Sequence, residues 1–150
     1  MACGIGICFT CVAKVKDASV LLDELNLPDP ALEVQQLATY HDACHLAHAQ
    51  GVRSAPRRLL AKVEGLTIVP LVESDICCGA AGTYNLDQPE MSRELAERKL
   101  ANIQRTQATL CITGNIGCAL QIKSEARRMG LSIDVRHPVD VLHAAYFGTH

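Results

Sequence analysis

Two adjacent cysteines followed by glycine, Cys77-Cys78-Gly79, stand between two isolated cysteines, Cys44 and Cys118, in the arrangement C-x32-CC-x39-C. In a regular strand neighbouring side chains leave on opposite faces, so both thiols cannot enter one core from such a strand. Cys-Cys-Gly therefore predicts a sharp bend, with Gly79 supplying backbone freedom and both sulfurs turned toward one bulky object. Four soft sulfur donors point to iron–sulfur or zinc chemistry before anything else. A second set, Cys3, Cys8 and Cys11, has the spacing C-x4-C-x2-C of plant-type [2Fe–2S] loops, in a glycine-rich setting that would let backbone amides approach sulfur.

The elements that must position these thiols follow from periodicity. A helix is predicted at Asp17–Leu25, then a linker holding Pro28 and Pro30. Strands are predicted at Leu37–His41, Leu66–Val72, Thr109–Thr113 and Leu131–Val135. Between and after them come helices: one from Cys44 to His48 capped by Asp42, and Pro56–Val63 capped by Ser54 and ended by Gly65. A long one then runs from Pro89 to about Arg105, followed by Ile116–Met129, stopped by Gly130, and Val139–Tyr146 behind Pro138. On the long helix, Met91, Leu95, Ala96, Leu100 and Ile103 form the expected apolar stripe, with Arg93–Glu97 and Glu94–Arg98 paired on the wet side.

Strand-then-helix repetition predicts an α/β fold: a small, open, mostly parallel four-stranded sheet with flanking helices. A Cys/Gly-rich N-terminal loop and a short helix precede it. The expected divisions are 1–15 (Cys-rich segment), 16–36 (helix and Pro-containing linker) and 37–150 (cysteine-rich α/β domain). Cys44, Cys77, Cys78 and Cys118 each follow a strand, and ligand sites of parallel sheets gather at the strands' carboxyl ends. Cys44 and Cys118 also fall near helix N-termini, which predicts lowered thiol pKa values there. Cys111, inside an apolar strand, is expected to pack.

Composition narrows the function. The chain has 150 residues, 49% of them hydrophobic, with eight cysteines and a net charge of −2. Basic residues form no run and Trp is absent, which argues against nucleic acid as a partner. No segment has the unbroken apolar length of a membrane span, so membrane association is expected to be peripheral at most. Met1–Val12 lacks the form of a signal peptide, and a reducing, cytoplasmic location is expected, where cysteines act as ligands or redox centres. His41, His45 and His48 flank Cys44; they are expected to hydrogen-bond around the centre, while a zinc site using Cys and His remains compatible with them. His137 is read as a helix-entry residue. Gly79–Gly82 and Gly114–Gly117 do not fit a dinucleotide loop.

Five separated motifs carry a resemblance. They are Tyr40-His41-Asp42-Ala43-Cys44-His45-Leu46-Ala47-His48, Glu73-Ser74-Asp75-Ile76-Cys77-Cys78-Gly79-Ala80-Ala81-Gly82-Thr83-Tyr84-Asn85, Gln88-Pro89-Glu90-Met91-Ser92, Thr113-Gly114-Asn115-Ile116-Gly117-Cys118 and Arg136-His137-Pro138-Val139. Through them residues 39–146 resemble the C-terminal half-domain of cysteine-rich CCG proteins, found in heterodisulfide reductase and in glycolate and lactate oxidase iron–sulfur subunits. The likeness is strongest to the glycolate oxidase type.

The resemblance implies that Cys44, Cys77, Cys78 and Cys118 bind the main cluster. The family's fullest motif ends in C-x2-C, and Gln121 stands at its last position here. That favours a four-thiolate [4Fe–4S] cluster over a noncubane one. The family usually carries two such half-domains and a ferredoxin module, so this chain is expected to hold one open half-site or to be a fragment. Residues 1–12 resemble the [2Fe–2S] loop of the dihydroorotate dehydrogenase electron-transfer subunit. The implied function is electron transfer, in a hetero-oligomer with flavin-binding oxidase subunits that carry FAD and oxidise a 2-hydroxy acid. Two other classes stay open: a thiol/disulfide-active subunit like heterodisulfide reductase, and a zinc-stabilised or metal-free interaction module.

Overall fold

Three apolar or β-branched runs and one shorter segment become strands: β1 (Gln36–His41), β2 (Leu66–Val69), β3 (Leu110–Thr113) and β4 (Asp134–Arg136). The structure, a computed structural model, describes residues 16–148; Cys3, Cys8 and Cys11 lie outside them. All three strand pairings are parallel, in the order β2-β1-β3-β4, with Ala38 registered against Ile68 and Leu110 and His41 against Thr113. The expected class, a small parallel four-stranded α/β sheet with flanking helices, is the one observed.

The helices are α1 (Ala18–Glu24), α2 (Ser54–Leu60), α3 (Tyr84–Asp87), α4 (Pro89–Arg105), α5 (Ile116–Arg128) and α6 (Pro138–Phe147). Strand alternation sorts the core into two layers. Leu110 and Ile112 join Ala38, Tyr40, Leu60 and Val141 on the α2/α6 side. Cys111 joins Leu100, Ile103, Ile122, Ala126 and Val135 on the α4/α5 side. Each fully buried Leu or Ile contributes about 1.5–3 kcal/mol. Leu22 of α1 packs near Leu59, Val63, Leu142 and Ala145, and Lys62 Nζ donates to the Leu27 carbonyl at 2.8 Å.

Several boundaries shift for identifiable reasons. β2 stops at Val69 because Pro70 has no N–H to continue the ladder. The expected Cys44–His48 helix is a single π-helical turn, His45–Ala49, with Cys44 at its N-cap and no side-chain cap bond. Asp42 does not cap it; its carboxylate takes two 2.7 Å bonds from Arg57, whose guanidinium also lies over Tyr40. Ser54 is the first residue of α2 rather than its cap. The fourth strand begins at Asp134, later than expected, since Leu131 and Ile133 pack against the core instead.

The intrahelical pairs expected on α4 give way to long-range ones, Arg98 with Glu73 and Arg128 with Glu97. His137 enters α6 as expected, within a capping box completed by Asp140. Among the described residues no helix is long and apolar enough to cross a membrane.

Candidate metal centre

The chain leaves β1 toward β2 on one side of the sheet and reaches β3 and β4 on the other. The crevice of such a parallel sheet opens where this reversal occurs, outside the carboxyl ends of β1 and β3. Cys44 follows β1, Cys77 and Cys78 follow β2, and Cys118 sits in the first turn of α5 after β3. All four thiols line one cleft of about 320 Å³, together with His45 and Asn115. That is roughly ten times the ~30 Å³ share of one water, enough to admit an inorganic cluster. Asn115 caps α5 by accepting from the Cys118 amide at 3.0 Å. The π turn behind Cys44 is of a kind that recurs at functional sites.

A polar stripe on α4 holds the Cys-Cys-Gly loop in place. Ser92, Lys99 and Asn102 are buried, at spacings that put them on one helix face, whereas Met91 is exposed. Ser92 Oγ donates to the Gly79 carbonyl at 2.9 Å and itself accepts from Gln121 Nε2 at 3.1 Å. Gln121, where the fullest motif has a cysteine, thus braces the loop. Lys99 Nζ donates to the Glu73 carbonyl, and Asn102 and Arg98 bond the Glu73 carboxylate. These contacts hold Glu73 in the left-handed region, at φ 57°. Sequence reasoning missed this clamp; the 92/99/102 spacing of polar residues was its only signal.

Without metal, the thiols oppose one another's ionisation. Cys118 beside it, together with burial, pushes the Cys78 thiol up to about 12. Its neighbour Cys78 and burial raise Cys77, and the Gly79 amide donates to Cys77 Sγ at 3.4 Å. Cys44 is raised by burial and by Cys77, which corrects the expectation that its helix terminus would lower it. The helix dipole loses there because the turn is short and desolvation is the larger effect. Such a group can ionise together only around a cation, and metal binding would release its protons. Cys111 is also pushed up to about 12, by burial alone in the first place, and packs within the sheet layer as expected.

His41 is fully buried at the end of β1. Its Nδ1 bonds the Ser74 carbonyl at 2.9 Å, and a ring nitrogen lies within 4.8 Å of both Cys78 and Cys118 Sγ, themselves equally close. His41 Nε2 and Thr113 Oγ1 are buried with no hydrogen-bond partner among the described residues. Orphaned polar atoms at this end of the sheet are compatible with an inorganic group bound nearby. His48 instead joins Arg53 and Asp75 at the surface.

Asp42, Glu73 and Asp75 are all paired with arginine. Burial by itself would raise the Asp42 carboxyl, but the bonds from Arg57 and Ser74 outweigh it and hold it below the usual carboxylate range. A depressed carboxyl stabilises the fold above its unfolded value and loses that contribution as pH falls through the folded one. The urea midpoint is therefore expected to drop below about pH 4. Asp42→Asn should have a lower midpoint at neutral pH and a shallower acid limb; an unchanged limb would refute the assignment.

These features define a class: a parallel α/β domain whose thiol-lined cleft lies at the carboxyl ends of its strands. The chain belongs to the cysteine-rich domain (CCG) family, which matches residues 38–123. It is 42% identical to the probable glycolate oxidase iron-sulfur subunit of Bacillus subtilis (strain 168), over 87% of this chain and 30% of that protein. Lactate utilization protein A is 34% identical in Oceanobacillus iheyensis, over 82% of this chain and 50% of that one. The Geobacillus kaustophilus protein of that name is 36% identical, over 83% and 52%. The chain thus spans 30 to 52% of the length of these relatives.

Proposed function

We propose that this chain is an electron-transfer component in which Cys44, Cys77, Cys78 and Cys118 hold a [4Fe–4S] cluster. It works beside FAD-bearing subunits of a cytoplasmic 2-hydroxy-acid oxidase or dehydrogenase of the glycolate or lactate type. The observation that carries the reading is the convergence of four thiols from three separate segments on one cleft. The printed names of the relatives supply the 2-hydroxy-acid connection. When bound, such a cluster supplies one-electron transfer, and hydride or proton abstraction belongs to the flavin.

The chain's own residues hold and tune the centre. The Gly79 amide donates to Cys77 sulfur, and buried Lys99 places positive charge near Cys78. Both favour the more negative, reduced state of a bound centre. The cluster domain is residues 37–150, docked by the 16–36 helix and linker. Cys3, Cys8 and Cys11 are a candidate [2Fe–2S] set by spacing alone.

One observation favours a second reading, a mononuclear zinc site: His41, Cys78 and Cys118 form a compact donor group of mixed nitrogen and sulfur. The raised thiol pKa values of Cys77 and Cys78 work against thiol–disulfide exchange by the metal-free protein. Purification without oxygen, followed by metal and acid-labile sulfide analysis, decides. The expected result is a brown protein with about four irons and four sulfides per chain from this site. Stoichiometric zinc without sulfide would replace the cluster reading with the zinc one.

A further inference from the structure

We propose that a second pocket, on the face of β1 opposite the thiol cleft, binds a quinone as the acceptor of this chain's electrons. The inference rests on the electron-transfer reading above. The pocket lies between α2 and β2 and has a volume of about 530 Å³, within the ~300–1,000 Å³ of small-molecule sites. Leu60, Leu66, Ile68 and Leu71 make most of its wall apolar, as a hydrocarbon-substituted ring requires.

The polar groups of the pocket suit a neutral acceptor. Tyr40 contributes a phenol and Arg57 a guanidinium. Asp42 and the Arg53 carbonyl take three of the five Arg57 N–H donors, leaving two without a partner among the described residues. The buried Asp42 carboxylate already neutralises that cation, so the pocket offers no unpaired charge to an anion such as phosphate. A quinone carries no charge and presents two carbonyl acceptors on a planar ring.

The connection with the thiols is built into β1. Successive side chains of a strand leave on opposite faces. Tyr40 accordingly lines the pocket, while buried His41 turns toward Cys78 and Cys118, a ring nitrogen lying within 4.8 Å of both sulfurs. Ser74 also lines the pocket, and its carbonyl accepts from His41 Nδ1 at 2.9 Å. Leu71 lines it too, and packs in the core layer that contains Cys78 and Cys118. One hydrogen-bonded pair of residues thus separates the two sites. Oxidation of a 2-hydroxy acid to the 2-oxo acid releases two electrons and two protons, and reduction of a quinone to its hydroquinone consumes both.

Titration calorimetry of the oxygen-free full chain with duroquinone tests the site, since its four methyl groups leave no ring carbon open to thiol addition. Saturable binding is expected, about tenfold weaker in Tyr40→Phe, which loses one hydrogen bond. Ala61 is exposed at the pocket wall, so Ala61→Trp fills the pocket without disturbing the core and should abolish binding. Ala81→Trp, which narrows the thiol cleft instead, should bind as the wild type does. No saturable binding, as for a groove that docks a protein segment, overturns the proposal. So does unchanged binding in Ala61→Trp or Tyr40→Phe, or its loss in Ala81→Trp.

Iron and sulfide analysis of the same sample keeps the two readings apart. Duroquinone binding to a protein with zinc or no metal would sink electron transfer, and with it the pocket's role as an acceptor site. Failure to bind in an iron-loaded protein would overturn the pocket alone. With iron present, the EPR signal of the reduced chain should be lost on adding duroquinone, at least tenfold more slowly in Ala61→Trp; equal rates would break the link between the sites.

Discussion

Cys78→Ser is expected to abolish the visible absorbance and bound iron of the protein almost completely, while Cys111→Ser leaves both in place. The comparison is stringent because the two thiols share burial and acidity. Both are almost wholly inaccessible, and both are pushed up to about 12. They differ only in where they point. Cys78 is flanked by Cys77 and Cys118 in the cleft, and Cys111 lies in β3 among Leu100, Ile103 and Ile122. Serine replaces a soft thiolate by a hard oxygen that is protonated at neutral pH, a poor substitute for iron. At Cys111 the same change only buries a hydroxyl, at a cost of about 1–3 kcal/mol. Absorbance spectra and iron content per chain check the pair. Full absorbance in Cys78→Ser would remove that residue from the ligand set.

Gly79→Ala is the second large effect, acting through the backbone. Gly79 has φ 91°, and a Cβ there would overlap the Ser92 carbonyl oxygen of α4. The left-handed conformation and the steric clash together are expected to cost about 2–4 kcal/mol and to displace the loop that presents Cys77 and Cys78. Gly82 supplies the control. It too has positive φ, 57°, yet its added Cβ meets nothing within 4 Å. Gly82→Ala should therefore lose only about 1 kcal/mol and keep its metal. Guanidinium unfolding, with metal content measured on each variant, distinguishes them. Equal losses at the two positions would show that the close approach to α4 contributes nothing.

Much of the fold was legible because its signals are local. Pro89 at the start of α4, Gly130 after α5 and His137-Pro138 before α6 mark boundaries through steric and hydrogen-bond rules spanning a few residues. The apolar run Leu110-Cys111-Ile112 likewise announced a strand, within which Cys111 was expected to pack. C-x32-CC-x39-C, placed after successive strands, was enough to expect the four thiols on one rim.

Wherever a polar side chain had a choice of partners, the sequence by itself could not decide. Asp42 stands where a helix cap is expected, yet Arg57 offers two charge-assisted bonds and wins. Arg98 and Glu97 could have paired within α4, but Glu73 and Arg128 claim them from other elements. Burial of Ser92, Lys99 and Asn102 follows from the loop packed on them, and His41's isolation from the register of β1 beside β3. Local periodicity and sterics thus determined the elements and the order of the cysteines along them. Only the tertiary structure, by bringing together groups distant in the chain and excluding water from them, decided the strand order, the loop clamp and which atoms line the cleft.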